Sequence, residues 1–288
     1  MLVVYLMRVK ISCDSTSDLS VELVEKYDIG VIPLVIIMGS ESLRDGVEVT
    51  PGDIFDYVES GRGTCATGAV NVEEYAQHFR EYLKEYDAVV HINISSEFSA
   101  CHQNATIAAR EMENVYIVDS MNLSTGSGNL VLDGAILASG GMSAREIRDE
   151  LVRRASLVEA SFVIDTLKYL RRGGRCSALT ALGANVLKLK PCIEVKDGKM
   201  DVGKKYRGSL KKCVANYVRD RLNGRNDIDR CRVFITYTPI SRDILEDVTR
   251  VVEETGCFDE IIYTEAGCTI SNHCGPGTLG LMFYRKEQ

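Results

Sequence analysis

The sequence predicts an α/β protein of two domains, an N-terminal doubly wound, mostly parallel sheet and a C-terminal mixed sheet with helices. Three observations lead there. At 288 residues the chain is about twice the ~150 residues of a common domain. From Val9 to Val158 short apolar runs alternate with helical patterns, as in a parallel sheet covered on both faces. Beyond residue 158 the pattern changes to paired runs about Asp197-Gly198, the strongest short hairpin cue in the chain. The predicted domains are therefore 1–158 and 159–288. With 45% hydrophobic and 26% charged residues, the chain has ample material for a core and no charge excess of the disordered kind.

Val9–Cys13 reads as the opening strand. Asp14-Ser-Thr-Ser-Asp18 follows as a turn, in which Ser17 or Asp18 can cap a helix running to about Tyr27. Ile29–Met38 is a strand run, but Pro33 has no amide hydrogen for a sheet, so the run is an edge or is interrupted there. Thr50-Pro51 opens a helix with a cap and a first-turn proline. Val72–Tyr86 carries an amphipathic helical pattern, Ala88–Ile94 a buried strand, Ser99–Glu113 a helix and Val115–Val118 a strand. Ser127–Ser139 and Ser143–Val158 are helices parted by Gly140-Gly141. In the second half Ser161–Ile164 is a strand, Thr166–Arg171 a short helix and Gly173-Gly174 a break. Leu187–Ile193 and Glu194–Val202 pair as a hairpin that Lys204–Tyr206 extends. A helix over Leu210–Leu222, a strand over Val233–Thr238, a helix over Ser241–Thr255 and the run Glu260–Glu265 complete the domain.

The net charge of −7 disfavours non-specific nucleic-acid binding, and no helix-turn-helix signature is present. No apolar stretch reaches the roughly 18 residues a membrane helix needs. Met1–Leu6 is apolar, but Arg8 and Lys10 come after it, the reverse of a secretory signal; it is either a strand edge or a leader ahead of a start at Met7. The ten cysteines are scattered, with no Cys-x-x-Cys pair, so the chain reads as cytoplasmic with reduced, mostly buried thiols. Cys268 and Cys274 flank His273 without further ligands at finger spacing, so no metal is expected.

Hydroxyl-rich loops recur just after strands: Asp14-Ser15-Thr16-Ser17, Ser95-Ser96-x-x-Ser99 and Asp119-Ser120-x-x-x-Ser124-x-Gly126-x-Gly128. In an open parallel sheet such loops line the ligand crevice, where hydroxyls and free amides suit an anionic head group. The competing reading is that they cap helices. Gly126-x-Gly128 lacks the third glycine of a dinucleotide site, and neither a phosphate-binding loop nor Gly-x-Ser-x-Gly occurs. Tyr169-Leu-Arg-Arg-Gly-Gly-Arg175-Cys-Ser177 sets three arginines about a glycine break; they grip a carboxylate or phosphate, or offset a helix dipole. His273 stands in a glycine-proline loop, His273-Cys-Gly-Pro-Gly-Thr278, that can face a crevice; His78, His91 and His102 read as surface or packing residues.

These clusters, in this order over residues 8 to 284, resemble the DegV family of fatty-acid-binding proteins. The matching residues are Asp14-Ser-Thr-Ser-Asp-Leu19, Ser95-Ser-Glu-Phe-Ser99, Val118-Asp-Ser120 with Ser124-x-Gly126, Leu170-Arg-Arg-Gly-Gly-Arg175-x-Ser177, Lys190-Pro191 before Lys196-Asp-Gly-Lys199, and His273-x-Gly-Pro-Gly-Thr278. The resemblance implies one long-chain fatty acid in a buried tunnel between two α/β domains. It also implies a role as acyl-carrying partner of an ATP-binding fatty acid kinase subunit that makes acyl phosphate. Cofactors other than the bound lipid, nucleic acid and stable membrane insertion are not expected. The family's carboxylate-binding threonine falls at Thr67, with Thr64 a rival, and its serine at Ser99, with Ser96 in the same loop. The family's basic pair at the tunnel mouth, facing phosphate or partner, corresponds to Arg175 and His273. The usual Thr-Ser-Gln-Pro-Ser reads Thr67-Gly-Ala-Val-Asn71 here, and Ser-Gly-Thr reads Ser99-Ala-Cys101. The alternative is a stand-alone acyl transferase or hydrolase with Ser99 or Cys101 as nucleophile and His273 or His102 as base.

Overall fold

The computed structural model describes residues 7–178 and 189–287. The expectations for Met1–Leu6 and for the start of the hairpin at Leu187 lie outside the described residues.

The chain opens with β1 (Val9–Asp14), a single 3-10 turn (Ser15–Ser17), α1 (Val21–Lys26) and β2 (Gly30–Ile32). The cap of α1 is Ser20, whose Oγ accepts the Leu23 amide; Asp18 instead sits at φ 49° and turns its carboxylate elsewhere. The predicted single run through Pro33 divides. β2 stays in the main sheet, and β3 (Val35–Met38) leaves it to form a separate antiparallel sheet with β4 (Glu41–Arg44) and β5 (Cys65–Gly68). Pro33 cannot donate to a ladder, so the parallel pairing ends there. Between β4 and β5 runs α2 (Pro51–Glu59), with a reciprocal Thr50–Asp53 capping box. Next come α3 (Val72–Tyr82), β6 (Ala88–Asn93), α4 (Cys101–Ala109), β7 (Val115–Asp119), α5 (Ser124–Ser139) and α6 (Ala144–Ala155).

The first sheet is wholly parallel in the order β2-β1-β6-β7. Its two faces follow the period of a strand. Val89 and Val115 meet α3 and α4, whereas Ile11, Val90 and Val118 meet α5 and α6.

The second sheet has six strands: β8 (Val158–Val163), β9 (Leu189–Lys196), β10 (Lys199–Arg207), β11 (Ile228–Tyr237), β12 (Ile261–Glu265) and β13 (Leu279–Arg285). Their order is β10-β9-β8-β13-β11-β12, antiparallel except for the β11–β12 pair. Every strand in it lies at or beyond Val158. α7 (Leu167–Gly173) follows β8, α8 (Leu210–Leu222) and α9 (Arg242–Thr255) pack together on one face, and α10 (Cys268–Cys274) precedes β13. The chain is thus a two-domain α/β protein with one parallel sheet, one mixed sheet and the small antiparallel sheet beside them.

The two sheets share α5. Twelve of its 16 residues are buried. Its first turns are nearly all Ser, Thr, Gly and Asn, so backbones approach from both sides: a Cβ on Gly128 would lie 2.7 Å from the Ser17 carbonyl. Across its other side Arg232 on β11 is buried against Asp133 and donates to Asn129 Oδ1 at 2.8 Å. The small antiparallel sheet with α2 forms an arm that reaches the second half. There Ile36, Phe55 and Cys65 join one apolar cluster with Tyr169 and Cys268. Among the described residues no helix is long and apolar enough to cross a membrane.

Candidate functional site

A cavity of about 200 Å³ opens where the parallel strands end, its walls including Leu34 after β2, Ile94 and Phe98 after β6, and Leu123 after β7. Loops at the carboxyl ends of parallel strands form the crevice of such sheets. The arm contributes Thr67 and Gly68 from β5, and the second half contributes Leu170, Arg175, Met200, Ile270 and Cys274. The lining is mostly apolar. Among the described residues its polar side chains are Thr67, Ser99, Arg175, Thr269 and His273.

Thr67 Oγ1 and His273 Nε2 are 2.9 Å apart and bridge the arm to α10. His273 lies in the last turn of α10 rather than in the loop the sequence suggested, because the helix runs on to Cys274 before Gly275 turns at φ 78°. Its Nδ1 is buried without a partner among the described residues and faces Gly173, where a Cβ would come within 2.1 Å. Burial, and secondarily the Arg175 charge, push the imidazole down to about 4, so it is neutral at pH 7. Arg175 is exposed at the rim and donates from Nη1 to the Gly173 carbonyl at 2.8 Å. Arg171 and Arg172 are exposed and do not line the cavity; Arg172 lies over the Tyr169 ring.

Ser99 Oγ donates to Cys101 Sγ at 3.1 Å and accepts the Cys101 amide. Behind it lies a buried polar cluster: Tyr75 donates to Asp14 Oδ1 at 2.6 Å and accepts from Asn93 Nδ2 at 3.1 Å. The Asp14 carboxylate also accepts from Asn93 Nδ2 and the Ile94 amide, which ties the ends of β1 and β6 to the cavity wall. Cys101 is pushed up to about 11, mainly by burial and then by Asp14, so it is a thiol and not a thiolate. Ser99 and Cys101 bond each other, while His273 bonds Thr67.

The other hydroxyls of the post-strand loops turn inward. Ser15 donates to Asp45, Ser95 to the Gly198 carbonyl, Ser120 to the Asn122 carbonyl and Ser124 to Asp18. Ser96 is exposed, outside the cavity lining, with its amide turned to the Asp119 carboxylate. Thr64 is also exposed and precedes β5, whereas Thr67 reaches the cavity.

Thr269 was not singled out from sequence. It lines the cavity one turn before His273, and its Oγ1 and amide both donate to Asp45 Oδ2. Asp45 also takes the Cys268 amide, and Asp18 takes the Gly267 amide, so two buried acidic side chains from the first half hold the start of α10. The cue was present but silent: four helical positions separate Thr269 from His273, which puts both on one face.

Fold and site together define a class: a two-domain α/β protein with a mostly apolar pocket that carries a few polar side chains. The chain belongs to the DegV family. The model of that family, described as uncharacterised protein, matches residues 8–286. A DegV domain-containing protein of Caldanaerobacter subterraneus is 30% identical over 284 residues, covering 97% of this chain and 99% of that one. A fatty acid-binding protein of Thermotoga maritima is 27% identical, covering 95% and 96%. Among solved structures, a DegV family protein of Thermus thermophilus, described for its fatty acid binding, superposes with a TM-score of 0.88 at 32% identity, covering 97% of this chain and 100% of that one. DegV of Bacillus subtilis, described as a fatty acid binding protein, gives 0.83 at 25% identity, covering 97% and 100%.

Proposed function

We propose that this protein is a carrier for a long-chain fatty acid, with the carboxylate at Thr67 and Ser99 and the chain along the apolar walls. The observation that carries this reading is a mostly apolar cavity whose lining includes the hydroxyls of Thr67 and Ser99, the bonded pair Thr67–His273, and Arg175 at its rim. Hydroxyl donors satisfy a carboxylate without placing a second charge in an apolar site. Each buried methylene adds about 0.8 kcal/mol, so the chain supplies most of the affinity. Arg175 at the rim suits a handover in which a separate ATP-binding kinase subunit turns the carboxylate into acyl phosphate. His273, neutral at pH 7, serves there as a hydrogen-bonding group, and the arginine supplies the positive charge.

The stand-alone transferase or hydrolase reading has less support. Ser99 is bonded to a thiol rather than to a base, and that thiol is held protonated. The reduced cysteines fit a cytoplasmic carrier.

Extraction of the purified protein followed by mass spectrometry should find one fatty acid per chain. No lipid in the extract, together with no binding of added palmitate or oleate, would reject the carrier reading. Thr67→Ala and Ser99→Ala should each weaken retention by about 10-fold to 150-fold, the loss of a hydrogen bond to a charged group. Unchanged retention would remove them from the carboxylate site.

A further inference from the structure

The loop that carries Ser99 is fixed from outside the cavity. Residues 94–100, between β6 and α4, form neither helix nor strand, and the Ser99 hydroxyl bonds Cys101, only two residues on. Ser95 supplies the longer reach. It is fully buried, and each of its polar groups is used. Its amide donates to the Asn122 carbonyl at 2.8 Å, and its carbonyl accepts the Phe98 and Ser99 amides at 2.9 and 3.4 Å. Its hydroxyl accepts the Glu97 amide and donates to the Gly198 carbonyl at 2.8 Å.

Gly198 belongs to the turn between β9 and β10, so the second sheet reaches across to a loop of the first. The turn is shaped for this approach. Gly198 is buried at φ 77°, and a Cβ on it would lie 2.7 Å from Ser95 Oγ. Beside it Lys199 pairs with Glu97 at 3.5 Å. Among the described residues Phe98, Ser99 and Met200 line the cavity, while Ser95 and Gly198 stand behind it. A hydrogen bond depends steeply on distance and angle, and a hydroxyl on an irregular loop keeps its aim only if the loop is held.

We propose that Ser95, bonded to the Gly198 carbonyl, is a positioning residue: it fixes where Ser99 presents its hydroxyl to the carboxylate and does not itself touch the ligand. This rests on the fatty-acid reading above.

The test uses the full-length chain, stripped of lipid, with palmitate and hexadecanol as probes, which share a chain length and differ in head group. Loosened apolar contacts weaken both alike, so the ratio of their affinities reports the head-group contact. Ser95→Ala removes the hydroxyl and keeps the backbone bonds. It should lower the palmitate-to-hexadecanol ratio by about fivefold, the margin by which a hydrogen bond to a charged group exceeds one to a neutral group. Placed on Ser99→Ala, it should leave the ratio of that variant unchanged. Gly198→Ala presses on the same contact from the turn and should lower the ratio likewise; it keeps the proposal testable if Ser95→Ala fails to fold. An unchanged ratio in a folded variant, or an equal further fall on Ser99→Ala, overturns the positioning role. If the unaltered protein binds neither probe, the fatty-acid reading fails and the proposal falls with it.

Discussion

At the scale of single residues, the site depends on contacts with no tolerance for extra atoms. Gly173 leaves room for His273 Nδ1, and a Cβ there would force the imidazole away from Thr67. Gly173→Ala should therefore raise the His273 pKa from about 4 toward 6.5, measurable by NMR titration, and weaken fatty-acid binding by about fivefold. An unmoved titration would show that the ring does not depend on this glycine. Asp18 is a second case. Burial, above all, raises its carboxyl to about 8, so between about 4 and 8 the folded protein holds a proton that the unfolded chain has released. Its contribution is greatest at low pH and is lost as pH climbs through that window. Asp18→Asn keeps a residue that tolerates the left-handed backbone, and should flatten that decline. The check is the urea midpoint of both proteins across pH, where the difference isolates Asp18 because His273 and His78, both lowered by burial, titrate oppositely in each. Parallel curves would argue against a buried, proton-holding Asp18. The sequence showed Thr67, Ser99, Arg175 and His273 as candidates, and all four line one cavity. It offered Ser96 on equal terms, because exposure is not written in a Ser-Ser pair.

At the scale of elements, local chemistry was most readable where it is self-contained. Helix α8 spans the predicted Leu210–Leu222, and α2, α3 and α6 start at capping boxes whose partners lie three residues apart. Ends that depend on neighbours were less readable. Strand β13 has no alternation, because Leu279 to Phe283 is buried on both faces in mid-sheet, and it passed without a signal. The antiparallel arm is built of four-residue strands that pair only once the chain has folded back. Helix α5 yields a direct test. Gly128→Ala would gain helix propensity in isolation, yet its Cβ meets the Ser17 backbone. We expect a loss of about 1–3 kcal/mol in urea unfolding, the cost of overpacking. A stabilised variant would mean that α5 is less tightly held between its neighbours than the geometry states.

At the scale of the whole molecule, the cavity exists because three bodies meet: the parallel sheet's loops, the antiparallel arm and α10 of the second half. Closing it around a ligand should stabilise the entire fold. At a fatty-acid concentration about 100 times the Kd, the gain should be about 2.7 kcal/mol, read as a rise in melting temperature on adding palmitate to stripped protein. A melting temperature indifferent to palmitate would contradict binding inside the folded core.

By itself the sequence determined the parallel α/β first half, the change of pattern at Val158, most helices, and the residue types of the polar end. These follow from periodicity, caps and turn chemistry, which act over a few residues. Only the tertiary structure decided that the arm's Thr67 meets His273, 206 positions away, that Thr269 joins them, and that most loop hydroxyls close on the protein itself. Those outcomes turn on which buried donors and acceptors come within 3 Å of each other once the sheets have packed, and no local pattern encodes that distance.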